Sequence, residues 1–412
     1  MVSGAEILRS MATGWSQVDG EAPRKAGGGV ARRSPGKEAT TLVVPREITE
    51  ETWVHEGTPR LGGSDPQARF QGEKARYVTG HLAEGTKKGY NIGWHQWCIF
   101  CGMRERSPFV LSEDREGKRI DEEDLLDFVI HLFANMGRAE GTVKQRLFGI
   151  RAEHVVRGLG DPLLGRPRMW MAIKGARRIQ GSRPRKLPVT ATMMKWIGAQ
   201  LDPEANPNDA VLWGAVCTRW FFLARAGEYL HSYGWDEKKV ARGCDFRVQR
   251  SGVPTNSWKE ADEVLLCFRS SKSDQEGQGA TRSHYRSGEE LCVVRALAHI
   301  AHHFPQRVGQ GADGHRPLFR WEDGAPVTRE QVQGVLEKAG EAQGLPAERM
   351  RTHSLRIGGA TALYHIYHDT EIIKRYGRWS SDAFHSYLWE GSSASQDVAK
   401  KMAQDQTSLF VS

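Results

Sequence analysis

His353 and Arg356 stand three residues apart, and side chains at that spacing meet on one face of a helix. Thr352 is placed to cap that helix, so both side chains would project into a common space. Beyond them come Gly377-Arg378-Trp379 and then Tyr387, the last on a short helical segment expected over 382–388. A guanidinium, an imidazole and a phenol are what a protein needs to clamp a phosphodiester, shuttle a proton and attack phosphorus. Two earlier positions enlarge the set. Arg225 follows an apolar helix expected over 211–223, and Glu228, three residues on, offers a carboxylate to hold its guanidinium. Lys272 falls at the tip of an expected hairpin, where a flexible ammonium could reach into a groove. Singly each is weak: a lone Arg or Lys is most often a surface charge, His353 a helix-terminal residue, and Tyr387 a core aromatic with a wet hydroxyl.

These residues need a scaffold, and the pattern outlines one over 190–390. Residues 263–269 read as a buried strand, 270–279 as a turn and 281–286 as the returning strand. Helices are expected at 289–304, 328–343, 353–366 and 370–376. Upstream, Tyr90, Trp94, Trp97 and Cys101 recur at helical steps after Thr86. Asp121 is placed to cap a second helix with Leu125, Val129 and Leu132 on one face. A third, from about Thr142, turns Val143, Leu147 and Ile150 inward and Lys144, Arg146 and Arg151 elsewhere. These form a helical domain over 72–180. The fold class is mainly α with a small antiparallel β-sheet (α+β).

Between the two domains, residues 162–188 hold eight basic side chains and no acidic one: Arg166, Arg168, Lys174, Arg177, Arg178, Arg183, Arg185 and Lys186. A one-sign run repels itself unless an anion is near. It reads as a strap along a nucleic-acid backbone, or as a solvated linker, with the linker proper at 181–189. Residues 1–71, rich in Gly, Ser, Pro and both charge signs, read as disordered or weakly ordered. The tail at 391–412 carries Val398 and Met402 on a weak helical stripe that would dock on something.

In 412 residues, 39% hydrophobic and 26% charged content describes a soluble chain of two or three domains, and the net charge of +8 is moderate. Six cysteines suggest no disulfide framework. Cys98 and Cys101 form a CxxC inside a Trp-rich helical pattern with no second ligand pair, which fits a buried pair better than a zinc or redox site. No apolar run is long enough to span a membrane, and the N-terminus lacks a signal pattern. A reducing compartment is expected: the nucleus in a eukaryote, otherwise the cytoplasm or nucleoid.

Together and in this order, Arg225, Lys272, His353, Arg356 and Tyr387 resemble the tyrosine recombinase (phage integrase-like) family. "ARAGE" looks like its Arg-x-x-Glu box, "SSKSDQEGQG" like its β-hairpin lysine, and "HSLRIGGAT" like its His-x-x-Arg box. "GRWSSDAFHSYLW" looks like its tyrosine segment, and its wording is closest to recombinases of DIRS and Crypton mobile elements. One position departs: where the family carries His or Trp just after the glycine, this chain has Arg378, with Trp379 next. Either the Trp379 indole N–H serves the phosphate, or the Arg378 guanidinium does; the first makes Arg378 a supporting residue.

The resemblance implies a helical core-binding domain followed by a catalytic domain, and a metal- and cofactor-free DNA recombinase. Arg225 and Arg356 would clamp the non-bridging oxygens, with Glu228 orienting Arg225. Tyr387 would attack to leave a 3′-phosphotyrosine, Lys272 would protonate the 5′-oxygen, and His353 would manage the tyrosine's proton. The partner would be double-stranded DNA, bound by a homo-oligomer that is tetrameric on synapsed sites. Contacts are expected from Lys144, Arg146 and Arg151, and from Lys174, Arg177, Arg178, Arg183, Arg185 and Lys186. A type IB topoisomerase-like nicking-closing enzyme, or a domesticated DNA-binding protein that does not cleave, would use the same residues.

Overall fold

The structure, a computed structural model, describes residues 73–389 apart from 75, 79, 182, 183, 231–238, 272, 273 and 275, together with residue 403. Residues 1–71 and the tail therefore lie outside it, as do Lys272 and Arg183. Contacts divide the chain into two compact units, one up to residue 183 and one from Pro184 onward.

The first unit is helical: α1 Glu84–Gly102, α2 Arg115–Ile130 prolonged by a π turn at His131–Asn135, α3 Glu140–Val156 and α4 Pro167–Gln180. Trp97, Leu125, Phe128, Leu147 and Ile150 fill its core, and the Trp97 indole donates to the Pro108 carbonyl at 2.7 Å. His154 is buried between two main-chain groups: it takes the Val110 N–H on Nε2 and donates from Nδ1 to the Ile150 carbonyl. The cap of α2 is Asp114, not Asp121. Its carboxylate accepts from the Gly117 N–H at 2.8 Å, while Asp121 sits inside the helix and accepts from Ser112 N–H at 3.1 Å. The apolar stripe starts late because the first turns of α2 are charged and face solvent, so periodicity alone places the start too far on.

The basic run is not an extended strap over most of its length. Pro167 opens α4, where a proline's fixed φ suits the first turn, and Met169 and Ile173 anchor the helix in the core. Arg166, just before it, is buried and reaches Asp121 at 3.5 Å.

The second unit has the expected helices and one sheet. Its elements are α5 Ala191–Ala199, α6 Pro207–Phe221, α7 Ala226–Tyr229, β1 Phe246–Arg250, β2 Val253–Thr255, β3 Glu263–Phe268 and β4 Ala280–Tyr285. They continue with α8 Val293–His303, α9 Arg329–Glu341, α10 Thr352–Tyr367, α11 Thr370–Gly377 and a final 3-10 turn at Asp382–Tyr387. The sheet is antiparallel with order β2-β1-β3-β4. Helix α6 is buried on every side from Asp209 to Trp220 and forms the axis of this unit. Asn206 caps it, accepting the N–H groups of Asn208 and Asp209.

Strands β3 and β4 pair Phe268 with Ala280, so the segment between them is the hairpin turn that carries Lys272. Asp274 organises the described part of that turn by accepting three main-chain N–H groups, from Gly279 at 2.7 Å and from Gln278 and Gly277 at 3.0 Å. These bonds, Gly279's foremost, hold its carboxyl below the usual range.

Candidate active site

The site is built where α6 ends. The chain leaves the helix through Leu223 with a φ of +50°, a conformation that a leucine rarely adopts. The Leu223 carbonyl accepts a short hydrogen bond from Arg356 Nη1 and a longer one, 3.5 Å, from Arg378 Nη2. The Ala224 carbonyl next to it accepts from Arg219 at 2.6 Å. Arg225 then starts α7, where its main-chain N–H and Nη1 reach the two oxygens of Glu228 at 2.6 and 3.1 Å.

Helix α10 lies against this turn because Gly358 and Gly359 carry no Cβ. A side chain at either would strike main-chain atoms of Val189 or Trp220. The helix is not capped by Thr352, which is its first residue. Arg351 precedes it, with its main-chain N–H donating to the Ser354 hydroxyl at 3.1 Å. Arg356 is 1% exposed. It donates from Nη2 to the Gly377 carbonyl at 2.6 Å, and its guanidinium lies 4.2 Å from the centre of the Trp379 ring. His353, one turn earlier, has its ring 4.9 Å from that of Tyr387.

Arg378 ends α11 in the left-handed conformation at φ +55°, where glycine is usual. That turn sends its side chain inward. Its fork pairs with both oxygens of Glu228, at 3.2 and 2.9 Å, and stacks 3.4 Å from the centre of the Phe268 ring. Trp379 takes the opposite course. It covers Arg356, touches Tyr387 at 5.4 Å between ring centres, and lies so close on Gly377 that any Cβ there would collide with it. The structure thus sets Arg378 on the carboxylate and Trp379 over the arginine.

The result is four guanidiniums, those of Arg219, Arg225, Arg356 and Arg378, acting on one another around the carboxylate of Glu228. Burial alone would raise the Glu228 carboxyl, but Arg378 and Arg225 outweigh it and hold it down. Burial, then Arg225 and Arg378, pulls Arg356 far below an ordinary arginine. His353 drops to about 3, through burial first and then through Arg219, Lys186, Arg356 and Arg225. Its imidazole is neutral at pH 7. A site this dense in cations suits an anionic group.

A second neutral imidazole backs the site. His284 on β4 donates from Nε2 to the Phe221 carbonyl at 2.9 Å, and burial brings it down to about 4. Free histidine titrates near ~6.5. Between that value and about 4, the unfolded chain binds protons that the folded chain refuses at His284 and His353. Stability is therefore complete above that window and falls as pH drops through it, by at most about 1.4 kcal/mol per pH unit for each group. The urea midpoint is expected to fall between pH 7 and pH 5. An unchanged midpoint would mean these rings are not held neutral.

Several basic residues expected on DNA have protein partners. Arg146 donates to the Gly89 carbonyl at 3.0 Å, Lys144 pairs with Glu140 at 2.7 Å, and Arg151 with Asp161 at 2.7 Å. Arg177 also reaches Glu140, at 3.5 Å, while Lys174 and Arg178 are exposed on α4. Arg185 donates to main-chain carbonyls beside Tyr387.

Sequence reasoning missed Arg219. It is fully buried, donates from Nε to the Thr352 carbonyl at 2.7 Å, and interacts electrostatically with Tyr387 and His353. An arginine inside the apolar run of α6, six residues before Arg225, was the available signal. A buried arginine needs several acceptors, and these come from Ala224 just past the end of α6 and from Thr352 at the start of α10.

No protein-family model and no curated protein matches the chain. Among solved structures it is similar to the XerH site-specific recombinase in a post-cleavage complex with palindromic difH substrate. The identity is 14% and the TM-score 0.45, covering 74% of this chain and 76% of that one. It is also similar to the Tn1549 transposon integrase in complex with transposon right end DNA, at 13% identity and a TM-score of 0.45, over 80% of this chain and 98% of that one. The XerA recombinase gives 15% and 0.33, over 83% and 100%. At such identities and TM-scores the likeness is remote and says nothing of what this chain's own residues do.

Proposed function

We propose that the second unit is the catalytic domain of a tyrosine recombinase that cuts and rejoins DNA strands through Tyr387. One observation carries this reading: four buried or half-buried guanidiniums gather around the Glu228 carboxylate beside a neutral imidazole and a phenol. A scissile phosphate would bring its negative charge to this cluster. Arg225 and Arg356 are the donors for its non-bridging oxygens, because the guanidinium fork suits the charge that gathers there in the transition state. Arg219 and Arg378 add to the field from behind, with Arg378 fastened to Glu228.

The Tyr387 oxygen attacks phosphorus and the bond from phosphorus to the 5′-oxygen breaks. The phenol's proton passes to His353, whose neutral ring has a lone pair to receive it. The 5′-oxygen takes a proton from Lys272, which follows β3 in the chain. The 3′-phosphotyrosine keeps the energy of the phosphodiester, so a second strand's 5′-hydroxyl can reverse the step without ATP. Synapsis of two sites by a homo-oligomer would turn this chemistry into site-specific recombination.

The test is covalent capture. Nicked duplexes of randomised sequence are incubated with the full chain, denatured, and examined for DNA that stays on protein. Wild type is expected to give such an adduct and Tyr387→Phe to give none while still retarding the duplexes in a gel. Absence of an adduct with wild type would sink the enzymatic reading in favour of a non-cleaving binder. An adduct that survives Tyr387→Phe would place the nucleophile elsewhere.

A further inference from the structure

Tyr387 is held by its main chain as well as by its ring, and one residue holds both sides of it. Arg185 Nη2 donates to the Ser386 carbonyl at 2.7 Å and to the Leu388 carbonyl at 3.2 Å. Its guanidinium also lies 4.7 Å from the centre of the Trp389 ring. The Ser386 carbonyl lies in the peptide plane that enters Tyr387 and the Leu388 carbonyl one plane beyond the one that leaves it, so the pair restrains the main chain across the tyrosine and with it the direction of the phenol. Ser386 is in the last turn of a 3-10 segment, whose closing bond runs from the Leu388 N–H to the His385 carbonyl, and a carbonyl at such an end attracts a cation.

The arginine is itself anchored. Arg349 donates from Nε to the Arg185 carbonyl at 2.8 Å and stacks on the same tryptophan at 5.8 Å. Two residues on, the Leu187 N–H donates to the Arg349 carbonyl at 3.2 Å, and the Val189 N–H donates to the Ser354 carbonyl at 3.0 Å. Val189 also accepts the Trp220 indole N–H at 2.9 Å. Segment 185–189 is thus bound to the start of α10, the helix that carries His353 and Arg356. From α10 itself, the Thr361 hydroxyl donates to the Tyr387 carbonyl at 3.3 Å and His365 Nε2 donates to the Trp389 carbonyl at 2.9 Å.

We propose that Arg185 is a positioning residue for the nucleophile, holding the main chain on both sides of Tyr387 so that the phenol stays beside His353. This rests on the reading of Tyr387 as the nucleophile. It also gives Arg185 a different task from the phosphate contact that its place in a basic run suggests. The two tasks leave different marks. A phosphate contact contributes to affinity and to its salt dependence. A positioning contact acts on the rate at which bound DNA is cut, because a displaced attacking atom loses the geometry that makes attack fast.

The experiment compares wild type, Arg185→Ala and Arg185→Lys on the nicked duplex pool. It measures adduct formation at saturating DNA, binding as a function of salt, and amide hydrogen exchange over 384–389. Arg185→Ala is expected to slow adduct formation by about 10- to 100-fold. Its affinity and salt slope should stay unchanged, and exchange in that stretch should quicken. Arg185→Lys, whose ammonium can still donate to two carbonyls, should recover part of the rate. A salt slope reduced by about one, with the saturated rate unchanged, would make Arg185 a phosphate contact and overturn the proposal. Unchanged exchange in Arg185→Ala would overturn it without reference to catalysis. If wild type forms no adduct, the functional reading fails, and the exchange measurement alone decides whether Arg185 holds this segment.

Discussion

Glu228→Ala is expected to destabilise the second unit by about 3–5 kcal/mol, the cost of leaving a buried charge without its partner. The carboxylate is 4% exposed and the Arg378 side chain 6% exposed, so neither has water to fall back on. Glu228 accepts two bonds from the Arg378 fork and two from Arg225, one of them from its main chain. Without it, the cluster of four guanidiniums would lose the carboxylate that Arg225 and Arg378 share. Burying one isolated charge is costly, and burying several of one sign is worse. Urea unfolding checks the size of the loss, and a change under about 1 kcal/mol would mean that water or another anion already screens the cluster. A double-mutant cycle with Arg378→Met isolates the pair. Removing both partners should cost much less than the sum of the single losses, because no orphaned charge remains.

Arg356→Lys should slow strand cleavage at saturating DNA by about 10²- to 10³-fold while the protein still folds and binds duplex. The arginine does two things that lysine does in part at best. Its fork ties the Leu223 and Gly377 carbonyls together, and its flat face lies against Trp379. Those two bonds use two of five N–H donors, leaving the others for an oxyanion. A lysine brings one compact charge on a flexible stem, with no plane to stack and no fork to span two oxygens. Single-turnover adduct formation separates the effects. A fall in the rate of the bound complex fits a transition-state contact, whereas weakened affinity with an unchanged rate would reduce Arg356 to a binding residue.

Much of the site could be read before any coordinates. The order Arg225, Lys272, His353, Arg356 and Tyr387 names the groups, and three-residue spacing predicts that His353 and Arg356 share a helix face. The β3–β4 hairpin was legible for a similar reason: Glu263–Phe268 and Ala280–Tyr285 flank a stretch dense in Ser, Gly and Asp. Local rules suffice for such features because their causes lie within a few residues.

The same rules misplaced the start of α2 and read α4 as a strap. In α4 only two residues, Met169 and Ile173, are fully buried, and the arginines around them mask the stripe. They also left Arg378 and Trp379 undecided. Where the Arg378 side chain lies turns on one backbone angle and on a carboxylate 150 residues earlier in the chain.

The sequence by itself determined which ionisable groups this chain carries, their order, and the helices and strands around them. Local propensity and periodicity depend on near neighbours, and those are written in order. Only the tertiary structure decided where each cation points: Arg378 to Glu228, Arg219 to the ends of two helices, Arg185 to the main chain around Tyr387. A guanidinium has five donors on a long stem and settles wherever buried acceptors converge. That convergence exists once α6, α10 and α11 have packed.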